Sequence, residues 1–278
     1  AAGSLLEFAL KDLSSFGVGR VSSLFVYPMS FDEFLLATGQ QGLWRAKQDC
    51  NSSHPLLKAF YEKLVEAFRS FMLVGRMPEA VAAYAQTGSY RASSDIVNEI
   101  LQGYEDDFAK YSAKANPVLL RQTLVSVAHQ VGAKFVYSRV EGQYRSAEVK
   151  TALEMLRDAG LIIPAYHTDA NGIPLGAEIN ERVVKYLVHD SGILLALLGI
   201  DDDTESLVKE LMVENVVDLV DKGNVAEMIA GLEIMKCYSP QKRHQLYYWQ
   251  NMNKGTCAEV DYIIAQGSRI VPIEVKSG

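Results

Sequence analysis

The sequence predicts a mixed α/β protein with more than one domain, and three observations support this class. Apolar residues recur at helical spacing along much of the chain before Gly160, and short apolar runs typical of strands follow it. The length of 278 residues suits about two domains, within a range of one to three. Hydrophobic residues make up 49% of the chain and charged residues 22%, which is ordinary for a globular protein.

The first two predicted segments are mainly helical. Residues 1–37 contain a strand-like run, Val21–Tyr27, followed by a helix over Phe31–Ala37 that Ser30 can cap. Residues 38–116 form a helical region, with helices predicted over Pro55–Leu73, Pro78–Ala85 and Asp95–Ala113.

The third segment, residues 117–200, has the order of a winged helix-turn-helix. Helices are predicted over Val118–His129 and over a second stretch that Ser146 can cap and that runs to Asp158. Strand-like runs follow at Leu161–His167 and Val183–His189. Two helices followed by a hairpin wing make up this motif.

The charges of this segment do not decide whether it binds DNA or protein. The outward face of its second helix carries Lys150 and Arg157 but also Glu148 and Glu154, and the whole chain has a net charge of −7. This balance argues against a globally basic, non-specific DNA binder. The helix can contact DNA through a local patch, or it can serve as a protein–protein module.

The last segment, residues 201–278, has the order of a nuclease-like core. It begins with an acidic stretch, residues 201–222, which we interpret as a solvated linker or an exposed helix. A helix over Asn224–Lys236 and a strand over Gln245–Trp249 follow, and two further strands close the chain. The order helix, strand, strand, strand is that of the front half of a restriction-endonuclease-like core.

The two closing strands form a predicted hairpin with its turn at Gly267-Ser268. If the loop consists of these two residues, Asp261 faces Glu274 and Glu259 faces Lys276. Side chains alternate along a strand, so these four groups lie on one face and the other face is wholly apolar.

Facing carboxylates predict a metal site. Asp261 and Glu274 repel each other unless one is protonated or a cation lies between them. Mg²⁺ held by these two residues, with Lys276 beside it, is the arrangement of the PD-(D/E)XK nucleases. There the metal activates water, and the lysine orients that water or neutralises developing charge. Glu227 on the preceding helix is the candidate third ligand, or else an ordinary first-turn carboxylate favoured by the helix dipole. The alternative for the hairpin is a solvated face with a Glu259–Lys276 pair.

Composition and motif content exclude several other classes of function. The three cysteines are too few and too scattered for a disulfide framework or a zinc site. The chain as given contains no Gly-x-x-x-x-Gly-Lys-Ser/Thr motif, so it cannot bind ATP through a P-loop. No apolar run approaches the ~20 residues that cross a bilayer, and the first residues lack the features of a signal peptide. We therefore expect a cytoplasmic protein with no membrane partner.

Short runs that occur in order along nearly the whole chain carry a family resemblance. They are Gly3–Leu6, Val18–Arg20, Tyr27–Phe34, Val74–Val81, Tyr104–Tyr111, His189–Leu194, Tyr247–Trp249, Glu259–Asp261 and Pro272–Lys276, together with Glu227. Through these runs the chain resembles the C-terminal portion of prokaryotic, archaeal-ATPase-like members of the AAA+ superfamily. Those proteins end in a domain of unknown function with a PD-(D/E)XK nuclease-like fold. Arg76 stands where the family pattern has a second glycine.

The resemblance implies an ATPase whose nucleotide state is passed through a winged helix to a nuclease-like domain. Residues 1–37 would be the tail of the ATPase domain, and residues 38–116 a lid-like region. Arg20 would lie near the nucleotide, as an arginine finger or a sensor. The P-loop and the acidic Walker residues would precede residue 1, so we expect a C-terminal fragment of a protein that binds ATP. The nuclease-like core would continue beyond Gly278 and be incomplete here.

Three functional hypotheses follow. The first is an ATPase-family fragment whose terminal domain has a metal-capable, nuclease-like site acting on or near DNA. The second is a non-catalytic module with a degenerate nuclease fold that binds protein or DNA, or associates with itself. The third is a self-sufficient DNA endonuclease, against which the acidic balance and the incomplete core weigh.

Overall fold

The computed structural model describes residues 22, 24–110, 116–200, 222–251 and 258–276. Arg20, the Gly3–Leu6 run and the acidic stretch up to residue 221 lie outside the described residues. The chain divides into two compact units. The helical unit contains the described parts of residues 27–107 and 190–219, and the sheet unit those of residues 1–26, 108–189 and 220–278.

Within the described ranges the chain forms nine α-helices and one five-stranded mixed sheet, which confirms the mixed α/β class. In chain order the elements are α1 (Phe31–Ala37), α2 (Gln41–Asp49), α3 (Lys58–Val74), α4 (Pro78–Thr87), α5 (Tyr90–Lys110), α6 (Pro117–His129), α7 (Ser146–Asp158), β1 (Ile162–Thr168), β2 (Ile179–Val188), α8 (Ser191–Leu197), α9 (Lys222–Lys236), β3 (Leu246–Gln250), β4 (Glu259–Gln266) and β5 (Arg269–Ile273). Short 3₁₀ turns cover Tyr137–Arg139 and Leu175–Glu178. Among the helices of the described ranges, none has the length and apolar character needed to cross a bilayer.

Local signals account for the first helix of the helical unit. The predicted cap at Ser30 is confirmed: its side chain accepts from the Glu33 amide, and the Glu33 carboxylate accepts from the Ser30 amide, which is a capping box. The helix buries Phe31 and Phe34, whose rings lie 5.3–5.4 Å from the ring of Phe71 on α3. This aromatic cluster forms part of the core of the helical unit.

Sequence patterns missed two helices and mispredicted one strand. Helix α2 contains only three apolar side chains, Leu43, Trp44 and Ala46, which are half-buried and too few to produce the helical spacing on which prediction depends. Helix α8 is short, and its signal is the capping residue Asp190, whose side chain accepts from the Ile193 amide at 2.7 Å. The prediction of a strand at Val21–Tyr27 is wrong for the residues of this stretch that the structure describes. They make no ladder, and Phe25 donates instead to the Pro240 carbonyl oxygen at 2.8 Å.

Arg76, the residue that replaces a glycine of the family pattern, is buried in the helical unit. Its amide donates to the Asp190 carboxylate at 2.5 Å, and its Nε donates to the Met29 carbonyl oxygen at 2.7 Å. The preceding Gly75 has a φ of +82°, and a Cβ there would lie 2.9 Å from the Asp190 carboxylate. A side chain at position 75 would therefore displace the carboxylate that Arg76 and α8 share.

The sheet unit joins strands from two predicted segments. The strand order is β2-β1-β3-β4-β5, with β1 and β2 antiparallel, β1 and β3 parallel, and the remaining pairs antiparallel. The antiparallel pair expected in the wing is therefore present, and the three strands predicted in the last segment continue the same sheet through β3. The specific winged-helix and PD-(D/E)XK assignments remain predictions.

The terminal hairpin has the predicted two-residue turn. Tyr262 pairs with Ile273 and Gln266 with Arg269, which leaves Gly267-Ser268 as the loop. Gly267 has a φ of +60°, the left-handed conformation that such a turn requires. Strand β5 ends at Ile273, so pairing stops one residue before the predicted Asp261–Glu274 pair.

Candidate metal centre

Three carboxylates meet above the sheet in what we call the acidic cluster. They belong to Glu227 on α9 and to Glu259 and Asp261 on β4. Each offers an oxygen that lies within 4.8 Å of those of the other two. Carboxylate oxygens are the ligands that Mg²⁺ and Ca²⁺ prefer in proteins. This group can therefore hold a metal ion.

Helix α9 places Glu227 because an apolar stripe fixes the helix on the sheet. The stripe consists of the buried residues Val225, Met228, Ile229, Leu232 and Met235. One turn after Glu227, Gly231 allows close packing: a Cβ there would lie 2.3 Å from the Tyr262 hydroxyl oxygen and 2.7 Å from a Leu187 methyl carbon. The Tyr262 hydroxyl donates to the Glu227 carbonyl oxygen at 2.8 Å, which ties this turn of α9 to β4.

An irregularity in β4 brings Asp261 to the same helix. Residues Tyr247–Trp249 of β3 are matched by the longer stretch Val260–Ile263 of β4, so β4 carries one extra residue. Such a bulge interrupts the alternation of side chains and re-aims one of them. Neighbouring residues Asp261 and Tyr262 therefore both reach α9, the first through its carboxylate near that of Glu227 and the second through its hydroxyl.

Lys185 on β2 is the cationic partner of the cluster. Its side chain is 4% exposed, and its Nζ donates to Glu227 Oε1 at 2.8 Å and also to Glu259 Oε1. The same Nζ lies 5.0 Å from the ring centroid of Tyr248 on β3. The ammonium group is thus held between two carboxylates and an aromatic face.

Sequence reasoning missed Lys185, although the sequence contains a signal for it. The lysine interrupts the apolar run Val183–Val188. A lysine that is buried in a strand must be paired with an acidic group. No local pattern identifies that group, because Glu227 and Glu259 lie far along the chain.

Burial and charge compete at the cluster. Burial raises the pKa of Glu227 to about 7, because the loss of water outweighs the attraction of Lys185, and the nearby charges of Asp261 and Glu259 raise it further. Burial disfavours the charged form of Lys185, but Glu227 and Glu259 outweigh it and raise the pKa of the amine. Three carboxylates outnumber the one ammonium group, so the ionised cluster keeps an excess of negative charge that suits a hard divalent cation.

The other predicted site residues lie beside the cluster. Asp261 Oδ2 accepts from the Val275 amide at 2.7 Å, which ties β4 to the chain beyond β5. Glu274 and Lys276 form an ion pair with each other at 2.6 Å, with side chains 47% and 77% exposed. The structure therefore brings Asp261 and Glu227 together with Glu259 and leaves Glu274 and Lys276 as a solvent-facing pair. The alternative Glu259–Lys276 pair is replaced by Glu259–Lys185 and Lys276–Glu274 pairs.

Two family models match parts of the chain. Residues 65–204, half of the chain, match the family described as a domain of unknown function (DUF8612). The chain belongs to the DUF8612 family. Residues 222–278 match a second domain of unknown function, DUF4143, which is found in the C-terminal region of AAA-ATPase-like proteins. No curated protein and no solved structure matches the sequence.

The acidic cluster combines both matched segments. All three carboxylates lie in the DUF4143 segment, and Lys185 lies in the DUF8612 segment. The DUF4143 match confirms only that residues 222–278 resemble a domain found in the C-terminal region of AAA-ATPase-like proteins.

The DUF8612 segment also contains α7, the helix predicted to contact DNA or protein. Arg157 on this helix is bound to Asp158 at 2.8 Å, and Glu148 accepts from the Arg145 amide at 2.8 Å. Lys150 lines a cleft of about 690 Å³ whose other charged residues are of both signs. The charges of α7 are thus partly satisfied within the protein, and the choice between DNA and protein remains a prediction.

Proposed function

We propose that the chain is the C-terminal part of an ATP-binding AAA+-type ATPase, and that its sheet unit is a PD-(D/E)XK nuclease-like domain with a Mg²⁺ site acting on or near DNA. The observation that supports this most strongly is the acidic cluster, in which Glu227 and Asp261 meet at the junction of a helix and the hairpin strand. The ordered motif runs and the DUF4143 match support the ATPase context. Arg20 is proposed to act at the nucleotide of that ATPase.

The donor set fits a divalent ion. Glu227, Glu259 and Asp261 would hold it, and a bound Mg²⁺ would supply Lewis-acid stabilisation of phosphate charge and a more acidic water. The protein contributes the arrangement of these ligands. The Val275 amide orients Asp261, and the packing of α9 on the sheet orients Glu227.

A melting titration tests the metal site. Adding Mg²⁺ or Mn²⁺ should raise the melting temperature, because an ion that binds only the folded state stabilises it by about 2.7 kcal/mol at a hundredfold excess over its dissociation constant. Asp261→Asn and Glu227→Gln should abolish the rise. Glu233→Gln is the matched control, since it changes the same chemical group on the same helix outside the cluster. A wild-type melting temperature that changes with neither Mg²⁺ nor Mn²⁺ would refute the proposed metal site.

Cleavage is tested separately. The protein, and the full-length chain with ATP, should cut DNA in the presence of Mg²⁺ or Mn²⁺, and Asp261→Asn should remove that activity. Glu274→Gln and Lys276→Met determine whether the exposed pair takes part in the reaction. Loss of cutting in either variant, with ion binding intact, would assign that residue a role in cleavage.

A non-catalytic interaction module is the second candidate, and Lys185 is the observation that favours it. An ammonium group bound to two carboxylates of the cluster gives the fold its own counter-ion. In that case divalent ions leave the melting temperature unchanged, and a mobility-shift or pull-down assay detects DNA or protein binding that survives Asp261→Asn.

A further inference from the structure

The acidic cluster already contains a cation, the ammonium group of Lys185. Its Nζ is in hydrogen-bond contact with both Glu227 and Glu259, and the side chain is almost fully buried. A divalent ion must approach the oxygens of these same two residues within roughly 2.0–2.6 Å. Two cations at such close range repel each other strongly in a partly desolvated site.

Tyr248 provides a second, independent sign that the cluster is built for a ligand. The side chain is fully buried on β3, and its hydroxyl has no hydrogen-bond partner among the described residues. The ring centroid lies 5.0 Å from Lys185 Nζ, which places Tyr248 beside the cluster. Burial raises the pKa of the hydroxyl, and the carboxylates of Glu259 and Glu227 raise it further. A buried hydroxyl normally has a partner. A water molecule or an ion-bound oxygen at the cluster would supply one.

Strand geometry explains why Lys185 reaches this position. Lys185 and Leu187 are two residues apart on β2 and so share a face of the sheet. Leu187 packs under Gly231 of α9, whereas Tyr186, on the opposite face, packs against Phe135 with ring centroids 5.5 Å apart. Lys185 therefore extends under the helix that carries Glu227.

We propose that Lys185 is a built-in competitor of the divalent ion: the ammonium group and the ion bind Glu227 and Glu259 in mutually exclusive fashion. Occupation of the site then requires Lys185 to leave these carboxylates. Because the lysine belongs to the DUF8612 segment and the carboxylates to the DUF4143 segment, ion binding changes the bonding between the two segments. This inference rests on the proposed function, since it concerns the affinity of the proposed metal site.

Mn²⁺ binding by Lys185 variants tests the competition. Lys185→Met keeps the length of the side chain and removes the charge, so the dissociation constant for Mn²⁺, measured by calorimetry on the whole chain, should fall roughly tenfold or more. Lys185→Arg keeps the charge and should bind Mn²⁺ about as weakly as the wild type. If the wild type binds Mn²⁺ and Lys185→Met binds it no more tightly, the competition is refuted while the metal site stands. If neither protein binds Mn²⁺, the proposed metal site fails and the competition fails with it.

A labelling measurement on the wild type keeps the test valid should Lys185→Met fail to fold. The lysine amines are acetylated briefly with and without saturating Mn²⁺, and the modified positions are quantified by mass spectrometry. Lys58, whose side chain is 89% exposed, serves as the internal reference. Displacement predicts that Mn²⁺ increases labelling of Lys185 relative to Lys58 by roughly threefold or more, because the amine loses its carboxylate partners. Unchanged labelling of Lys185 at saturating Mn²⁺ would overturn the proposal.

Discussion

Glu227 should make the stability of the sheet unit fall as pH rises through the range from 4.5 to 7. Its carboxyl has a pKa of about 7 in the folded protein, against an ordinary value of 4.5. Below pH 4.5 the group is protonated in both the folded and the unfolded states, and no penalty arises. Between the two values the unfolded state releases its proton first, so the free energy of unfolding decreases as pH rises. Above pH 7 the decrease is complete.

The size of this effect follows from the two pKa values. Each unit of difference corresponds to about 1.36 kcal/mol, so the loss between pH 4.5 and 7 is roughly 3 kcal/mol. The physical cause is the burial of the Glu227 side chain between α9 and the sheet. The loss of water destabilises the carboxylate more than the ion pair with Lys185 stabilises it.

A comparison of wild type with Glu227→Gln isolates this contribution. Glutamine keeps the shape of the side chain and does not titrate, so acidic groups outside the cluster affect both proteins equally. Urea unfolding at pH 5 and pH 8, followed by the fluorescence of Trp249 in a Trp44→Phe background, reports on the sheet unit. The wild type should lose about 2–3 kcal/mol more than the variant between these two pH values, because a part of the loss has already occurred at pH 5. Stability curves that run parallel with pH would refute the argument.

Three further changes test the packing. Asp190→Ala removes the acceptor for the Arg76 amide and the cap of α8, and should cost about 2–3 kcal/mol in guanidinium unfolding; Asp190→Asn, which keeps an acceptor oxygen, should cost less. Gly231→Ala places a Cβ 2.3 Å from the Tyr262 hydroxyl oxygen and should lower stability by about 2 kcal/mol, measured by thermal melting. Gly103→Ala in α5 is the matched change at a helical glycine whose added Cβ meets nothing within 4 Å, and it should raise stability by roughly 0.5–1 kcal/mol. A melting temperature that falls in Gly103→Ala, or stays unchanged in Gly231→Ala, would contradict the packing described around each glycine.

Sequence patterns predicted the elements whose signals are local. The Ser30 cap and the Gly267-Ser268 turn each depend on a few neighbouring residues, and both are confirmed. The helix Ser146–Asp158 ends at the predicted residue, and its apolar spacing is visible in the sequence, but its N-cap is Arg145 and not the predicted Ser146. Helix α2 has only three apolar residues, too few for the same reasoning to identify it.

Features that depend on distant pairing were not predictable in this way. The parallel pairing of β1 with β3 joins Ala165 to Leu246, and nothing in either strand specifies the other. This pairing extends one sheet from β2 to the hairpin, so a lysine on β2 can share a site with carboxylates of β4. A boundary drawn between residues 200 and 201 from sequence separates these side chains into different segments.

The candidate site shows the same difference between local signals and distant pairing. Asp261 and Glu227 are predicted as ligands of one site, and the cluster contains both. Strand alternation alone does not account for Asp261, because the bulge in β4 re-aims side chains at this point. The prediction that Glu274 and Lys276 belong to the same site assumes that β5 stays paired through Lys276, but the pairing ends at Ile273. What sequence reasoning could have used is the energetic cost of Lys185: a lysine in a buried strand requires carboxylates nearby, and a cluster of carboxylates requires a cation. The buried lysine therefore predicts carboxylates nearby, and the carboxylates predict a cation nearby. The parallel pairing of β1 with β3 brings the two together in one sheet.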